Sequence, residues 1–119
     1  MSKLLIVDDE VDIREFAKRF FAKRGIEVFT ASGGREALNL IDDQKPDLVL
    51  LDVQMEEING IEVLRKLRDA KNNTKVVMVT GAEDPAIINA ANKLGAIGYV
   101  HKPLILEELE KIVLAELKK

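Results

Sequence analysis

Residues 4–10 read LLIVDDE: four apolar residues, Leu4 to Val7, run straight into Asp8, Asp9 and Glu10. An apolar run that short reads as a strand buried on both faces. Carboxylates at the mouth of a buried strand repel one another and lose hydration, a cost that local structure does not explain. Two further runs have the same character. LVLL at 48–51 leads into Asp52, and KVVMVT at 75–80 ends in Thr80. The mixed runs EVFTA at 27–31 and IGYVH at 97–101 bring the expected strands to five.

Between the strands the period changes to that of a helix. The expected inward stripes are Ile13, Phe16, Ala17 and Phe20; Ala37, Leu38 and Ile41; Ile61, Leu64 and Leu67; Ile87, Ala90, Ala91 and Leu94; and Leu106, Leu109, Ile112, Val113 and Leu117. Punctuation supports these boundaries. Gly25 and Gly95 follow helices one and four as C-terminal caps do, Pro46 stops helix two, and Asp84-Pro85 reads as an N-cap followed by proline at the first helical position. The basic run RKLRDAK at 65–71 reads as a solvated helix face.

Five strand–helix pairs predict an α/β fold, a (βα)5 doubly wound parallel sheet with helices on both faces. The almost continuously apolar strands one, three and four belong in the centre and the mixed strands two and five at the edges. The order 2-1-3-4-5 satisfies this.

Composition narrows the function. Apolar residues make up 47% and charged residues 33%, the balance of a single globular domain over 1–119 rather than a disordered chain. The net charge is only −3 and no basic stripe dominates, so direct nucleic-acid binding is not expected. Without Cys there is no disulfide and no thiolate metal site, which suits a reducing compartment. The first residues do not read as a signal peptide, and no apolar run approaches a membrane span. A cytoplasmic protein with no membrane partner is expected.

In a sheet of this order, ligands bind outside the carboxyl ends of the strands, at the switch between strands one and three. Asp8, Asp9, Asp52, Thr80, His101 and Lys102 all fall on that rim. Asp8, Asp9 and Asp52 form a cluster of hard oxygen ligands for a metal, and without His or Cys partners they suit Mg²⁺ first and Mn²⁺ as a substitute. A carboxylate left free of the metal can attack phosphorus and form an aspartyl phosphate. Lys102 and Thr80 supply the cation and donor that such a transfer needs.

The residues VDDE at 7–10, LLDVQM around Asp52, Gly60, VTG at 79–81 and YVHKP at 99–103 occur together in this order. The chain thereby resembles the receiver domain of two-component response regulators, the CheY-like proteins, whose strand order flavodoxin shares. The resemblance implies that Asp52 is the phosphoacceptor. It also implies that Asp9 binds Mg²⁺ directly, that Asp8 acts mainly through water and that the Gln54 backbone carbonyl completes the ligands. Lys102 pairs with the phosphoryl group, Thr80 moves to hydrogen-bond it, Tyr99 follows Thr80 inward, and the Lys102–Pro103 bond is cis. The implied partners are a histidine kinase or phosphotransfer protein and a downstream target or output domain. A stand-alone regulator and the receiver of a longer one both fit, and the chain is not itself a turnover enzyme.

Three departures from the family pattern stand out. Glu56, followed by Glu57, replaces a common proline, Gly81 replaces a common alanine, and Ile105 sits where a polar cap is usual. Ile88 lies one step off the helix-four stripe. Together with Tyr99 and Ile105 it forms a candidate output surface, for a partner or a phosphorylation-linked homodimer. Two competing readings remain, a flavin or nucleotide carrier and a phosphorylation-independent interaction module. The acidic loop DDEVD repels phosphate, against the first. The full set of acids, Thr and Lys argues against the second.

Overall fold

The computed structural model describes residues 2–55, 58–81 and 84–117. Glu56 and Glu57 lie outside the described residues. Strands and helices alternate from end to end: β1 (Lys3–Val7), α1 (Val11–Ala22), β2 (Glu27–Ala31), α2 (Gly34–Gln44), β3 (Leu48–Asp52), α3 (Gly60–Asp69), β4 (Val76–Thr80), α4 (Pro85–Lys93), β5 (Gly98–His101) and α5 (Leu106–Leu117). The five strands form one sheet in the order β2-β1-β3-β4-β5, and every neighbouring pair is parallel. The expected topology is therefore the observed one.

Strand alternation sorts the core into two layers. Leu5, Val7, Val49, Leu51, Val76 and Met78 face Ala37, Ile41, Val63, Leu64, Leu67 and Ala91 of α2, α3 and α4. Leu4, Ile6, Leu48, Leu50, Val77 and Val79 face Ala17 and Phe21 of α1 and Leu109 and Val113 of α5. All five residues of β3 and of β4 are buried, which is why those strands lack a polar–apolar alternation.

The helix ends follow their local chemistry. Gly25 and Gly95 adopt φ of 78° and 79°. This left-handed turn lets Ile26 N–H reach the Phe21 carbonyl and Ala96 N–H reach that of Ala91. The Asp84 side chain caps α4 by accepting from Ala86 N–H, with Pro85 opening the helix. α2 ends at Gln44, where Lys45 turns left-handed at φ 50° immediately before Pro46.

Two helix faces differ from expectation. On α1 the buried residues are Ala17 and Phe21, while Phe16 is 67% exposed. In the FAKRFF stretch two alternative four-residue ladders are available, and the sheet takes the one through Ala17 and Phe21. Each buried aromatic contributes about 2–3 kcal/mol, so the choice is decisive for packing but invisible to periodicity. The second difference is Arg68, which does not belong to a solvated face. It follows Leu67 at the edge of the buried stripe, and its guanidinium gathers four carbonyls. Nε donates to Leu94 O (2.6 Å), Nη1 to Asn72 O (2.8 Å) and Thr74 O (3.1 Å), and Nη2 to Gly95 O (3.3 Å). Burial lowers its pKa from the ordinary value, yet an arginine stays charged. Arg68 thus ties the C-terminal end of α4 to the turn between α3 and β4. Arg68→Met, which leaves these carbonyls without their donor, is expected to lower unfolding stability by about 2 kcal/mol, read from the midpoint of urea denaturation.

Candidate functional site

The carboxyl ends of β1, β3, β4 and β5 form one rim. Asp8 directly follows β1, Asp52 ends β3, Thr80 ends β4, and Lys102 follows β5. Asp8, Asp52 and Thr80 are at most 2% exposed, whereas Asp9 and Glu10 are exposed. Main-chain bonds hold these ends in place. Lys102 N–H donates to Thr80 O (2.8 Å), Val53 N–H to Val79 O (2.9 Å) and Gly60 N–H to Val53 O (2.9 Å). At Gly60 a Cβ would lie 2.4 Å from Asp52 O and 3.0 Å from the Val53 Cα. Only glycine lets α3 start against the backbone that carries Asp52.

The Asp52 carboxylate is held on both oxygens. Oδ1 accepts from Gln54 N–H (3.0 Å) and Oδ2 from Lys102 Nζ (2.9 Å). The same ammonium lies 3.3 Å from Asp8 Oδ2 and 3.8 Å from Glu10 Oε1. Burial pushes the Asp52 carboxyl above its ordinary value, a shift partly offset by the hydrogen bonds from Lys102 and Gln54 and the Lys102 charge; the Asp8 charge adds to it. For Lys102, burial acts downward, but Asp52 and then Asp8 outweigh it and hold the ammonium above its ordinary range. The Lys102–Pro103 peptide bond is cis.

Asp8, Asp9 and Glu10 bring one carboxylate oxygen each within 4.8 Å of one another. Among the described residues Glu10, rather than Asp52, is the third member of this group. Glu10 stood in the DDE stretch from the start, but its approach to Lys102 depends on the loop and not on spacing. The hollow above the rim is lined by Asp9, Glu10, Val53, Gln54, Met55, Asn59, Ile87 and Lys102. Asn59 is also the N-cap of α3, accepting from Glu62 N–H (2.9 Å). A Cβ on Gly81 would lie 3.9 Å from Gln54 Oε1, an ordinary contact that adds nothing to the rim.

The remaining candidates sit away from the acids. Tyr99 points outward, 43% exposed, with its ring edge-on to His101 at 5.7 Å. Ile105 is 52% exposed and Ile88 half-buried.

Comparison with known proteins assigns this arrangement to a family. The response regulator receiver domain model matches residues 4–114. The chain is 39% identical over 113 residues to regulatory protein AtoC of Escherichia coli, covering 95% of this chain and 24% of AtoC. It is 34% identical over 111 residues to sporulation initiation phosphotransferase F of Bacillus subtilis, covering 93% and 90%. Among solved structures, chemotaxis protein CheY4 of Vibrio cholerae matches with a TM-score of 0.91 at 32% identity, covering 98% and 99%. TrrA of Thermotoga maritima, solved in complex with Mg²⁺-BeF, matches with 0.86 at 34%, covering 98% and 100%. The chain belongs to the receiver-domain family of two-component response regulators, signalling domains in which Mg²⁺-dependent phosphorylation of an aspartate is general. Relatives differ in length: the chain spans a quarter of AtoC, about half of the regulator MprA and nearly all of phosphotransferase F. Among the described residues no helix is long and apolar enough to cross a membrane.

The electrostatics of the rim can be tested at Asp52. Lys102→Met removes the hydrogen bond and charge that restrain the Asp52 pKa and leaves burial and Asp8, which raise it. The Asp52 carboxyl is therefore expected to titrate at higher pH than in wild type, read by ¹³C NMR of the carboxyl carbon. The stability sign follows. A carboxyl raised in the folded state favours folding when protonated, so that contribution is full below the unfolded pKa of about 4 and is lost as pH rises through the folded pKa. The melting temperature of Lys102→Met should fall further behind wild type as pH rises across that window.

Proposed function

We propose that the chain is a phosphorylation-dependent switch with Asp52 as its phosphoacceptor. The observation that carries this is the buried Asp52 carboxylate, which is held at 2.9 Å by the ammonium of Lys102, a residue that itself lines a hollow edged by Asp9 and Glu10. The oxygen-only donor set of Asp8, Asp9 and Glu10 fits a hard divalent cation. In the proposed assignment Asp9 binds Mg²⁺ directly, Asp8 acts mainly through water and the Gln54 carbonyl adds a ligand. Bound Mg²⁺ or Mn²⁺ supplies positive charge to the phosphoryl oxygens.

In the transfer, an Asp52 carboxylate oxygen attacks phosphorus. An O–P bond forms, and the P–N bond to a phosphohistidine breaks, with its electron pair returning to the imidazole nitrogen. Lys102 exchanges part of its contact with Asp52 for the incoming phosphoryl oxygens, and its fixed position costs no reorganisation. Thr80, whose carbonyl is tied to Lys102 N–H, offers its hydroxyl as the hydrogen-bond donor to the phosphoryl group. The donor is a histidine kinase or phosphotransfer protein. The recipient of the signal is a downstream protein or output domain, met through a face that includes Ile88, Tyr99 and Ile105, with a phosphorylation-linked homodimer as one form of it. The setting is cytoplasmic, and the chain acts once per phosphorylation rather than turning over an external substrate. The related TrrA was solved in complex with Mg²⁺-BeF, which supports a divalent cation as part of this reading.

Acetyl phosphate with Mg²⁺ is expected to add one hydroxylamine-labile phosphoryl group, measured by intact mass. Asp52→Asn should abolish it, and a modification that persists in this variant moves the acceptor elsewhere. Asp9→Ala should lose Mg²⁺ binding in an NMR titration. Unchanged affinity there removes Asp9 from the ligand set.

A further inference from the structure

Arg14 is not explained by packing or by the roles given above. It sits in the first turns of α1, half-buried, and its side chain folds back over the start of the helix. Nη1 donates to the main-chain carbonyl of Asp8 at 2.7 Å. Among the described residues Arg14 forms no ion pair, so its charge is spent on a main-chain carbonyl.

The carbonyl it holds is in a telling place. The Asp8 carbonyl belongs to the peptide unit that joins Asp8 to Asp9, so its orientation decides where the Asp9 side chain starts. The rest of the loop is fastened around this unit. Asp8 N–H donates to Ala31 O (3.1 Å), and Glu10 N–H donates to Asp8 Oδ1 (2.9 Å), which closes a tight side-chain turn. The start of α1 contributes little further restraint, since its N-cap Glu10 makes no side-chain capping bond. Without Arg14 the Asp8–Asp9 peptide loses its one charge-assisted bond and is free to rotate while both ends stay anchored.

We propose that Arg14 is a positioning residue for the acidic loop: by clamping the Asp8 carbonyl it sets the Asp8–Asp9 peptide so that Asp8, Asp9 and Glu10 converge on a divalent cation. This rests on the reading that the rim binds such a cation. The charge of Arg14 acts in the other direction. A guanidinium beside a cation site repels the cation, so charge alone makes Arg14 unfavourable for binding. A clamp and a bystander therefore predict opposite signs when the side chain is removed.

The test is a Mg²⁺ titration followed by amide chemical shifts, on wild type, Arg14→Met, Arg14→Gln and Arg14→Lys, with Asp9→Ala as a control. The metal-free proteins are compared by amide hydrogen exchange at Glu10. The clamp predicts that Arg14→Met binds Mg²⁺ at least threefold more weakly despite losing a positive charge. It also predicts that the Glu10 amide, closed onto Asp8 Oδ1, exchanges at least tenfold faster without any metal. Arg14→Lys, which restores a charged donor, should recover part of both effects. Arg14→Gln, neutral but still a donor, reads the same signs if Arg14→Met does not fold. Equal or tighter Mg²⁺ binding in the neutral variants, or unchanged exchange at Glu10, overturns the clamp. If the wild type shows no saturable Mg²⁺ shifts, the cation reading fails instead, and the exchange result still decides whether Arg14 orders the loop.

Discussion

The contact between Asp52 and Lys102 is the constraint around which the rim is built. A carboxylate that ends a wholly buried strand loses most of its hydration, and several kcal/mol of that loss must be recovered from neighbours. Lys102 and the Gln54 amide recover part of it, and the carboxyl still sits above its ordinary pKa. Apolar residues of similar size would give a fold at least as stable. The charge is therefore not there for stability. The proposed role as a phosphoacceptor, a nucleophile that must be desolvated and oriented, gives it a reason.

That pair is held by backbone rather than by side-chain packing. Asp52 ends β3 and Lys102 follows β5, and β4 between them accepts from both sides, Thr80 O from Lys102 N–H and Val79 O from Val53 N–H. Gly60 lets α3 begin in contact with the Asp52 carbonyl, so the helix braces the strand end from the far side. The acidic loop after β1 is different. It depends on one peptide unit and a few side-chain bonds, which is where a single residue such as Arg14 has leverage. Sites placed on strand ends are more exact than sites placed on loops, and this rim combines both.

What the chain's sequence makes legible follows the same division. β1, β3 and β4 could be read because burial on both faces leaves unbroken apolar runs, and the strand order followed from which runs were mixed. Asp8, Asp9, Asp52, Thr80 and Lys102 share one rim because all stand at carboxyl ends, a consequence of topology alone. Phe16 and Phe21 could not be separated, because FAKRFF supports two ladders and only the sheet chooses between them. Glu10 and Arg14 were not assigned because convergence across a loop depends on side-chain rotamers that periodicity does not encode. Arg68 was read as solvated because its neighbours Arg65 and Lys66 are; its own carbonyl partners come from segments up to 27 residues away.

The uneven hold on α4 follows from these interactions. Of its nine residues only Ala91 is buried, so little apolar area fastens it to the sheet. Its C-terminal end is nonetheless fixed, with Leu94 O and Gly95 O both bound by Arg68. Among the described residues its N-terminal end is held by the Asp84 cap, and it lies where the chain leaves Thr80. Segments with few buried contacts open at low free energy, while densely bonded ones do not. A helix pinned at one end and lightly packed along its length responds to a displacement at the other end by pivoting, since translation would break the Arg68 contacts. Ile87, which lines the hollow above Asp52, and the half-buried Ile88 lie on the lightly held half. In the proposed switch, a change at the rim that reaches Thr80 therefore meets less resistance toward the face that carries Ile88 than toward the buried strands on either side of Asp52.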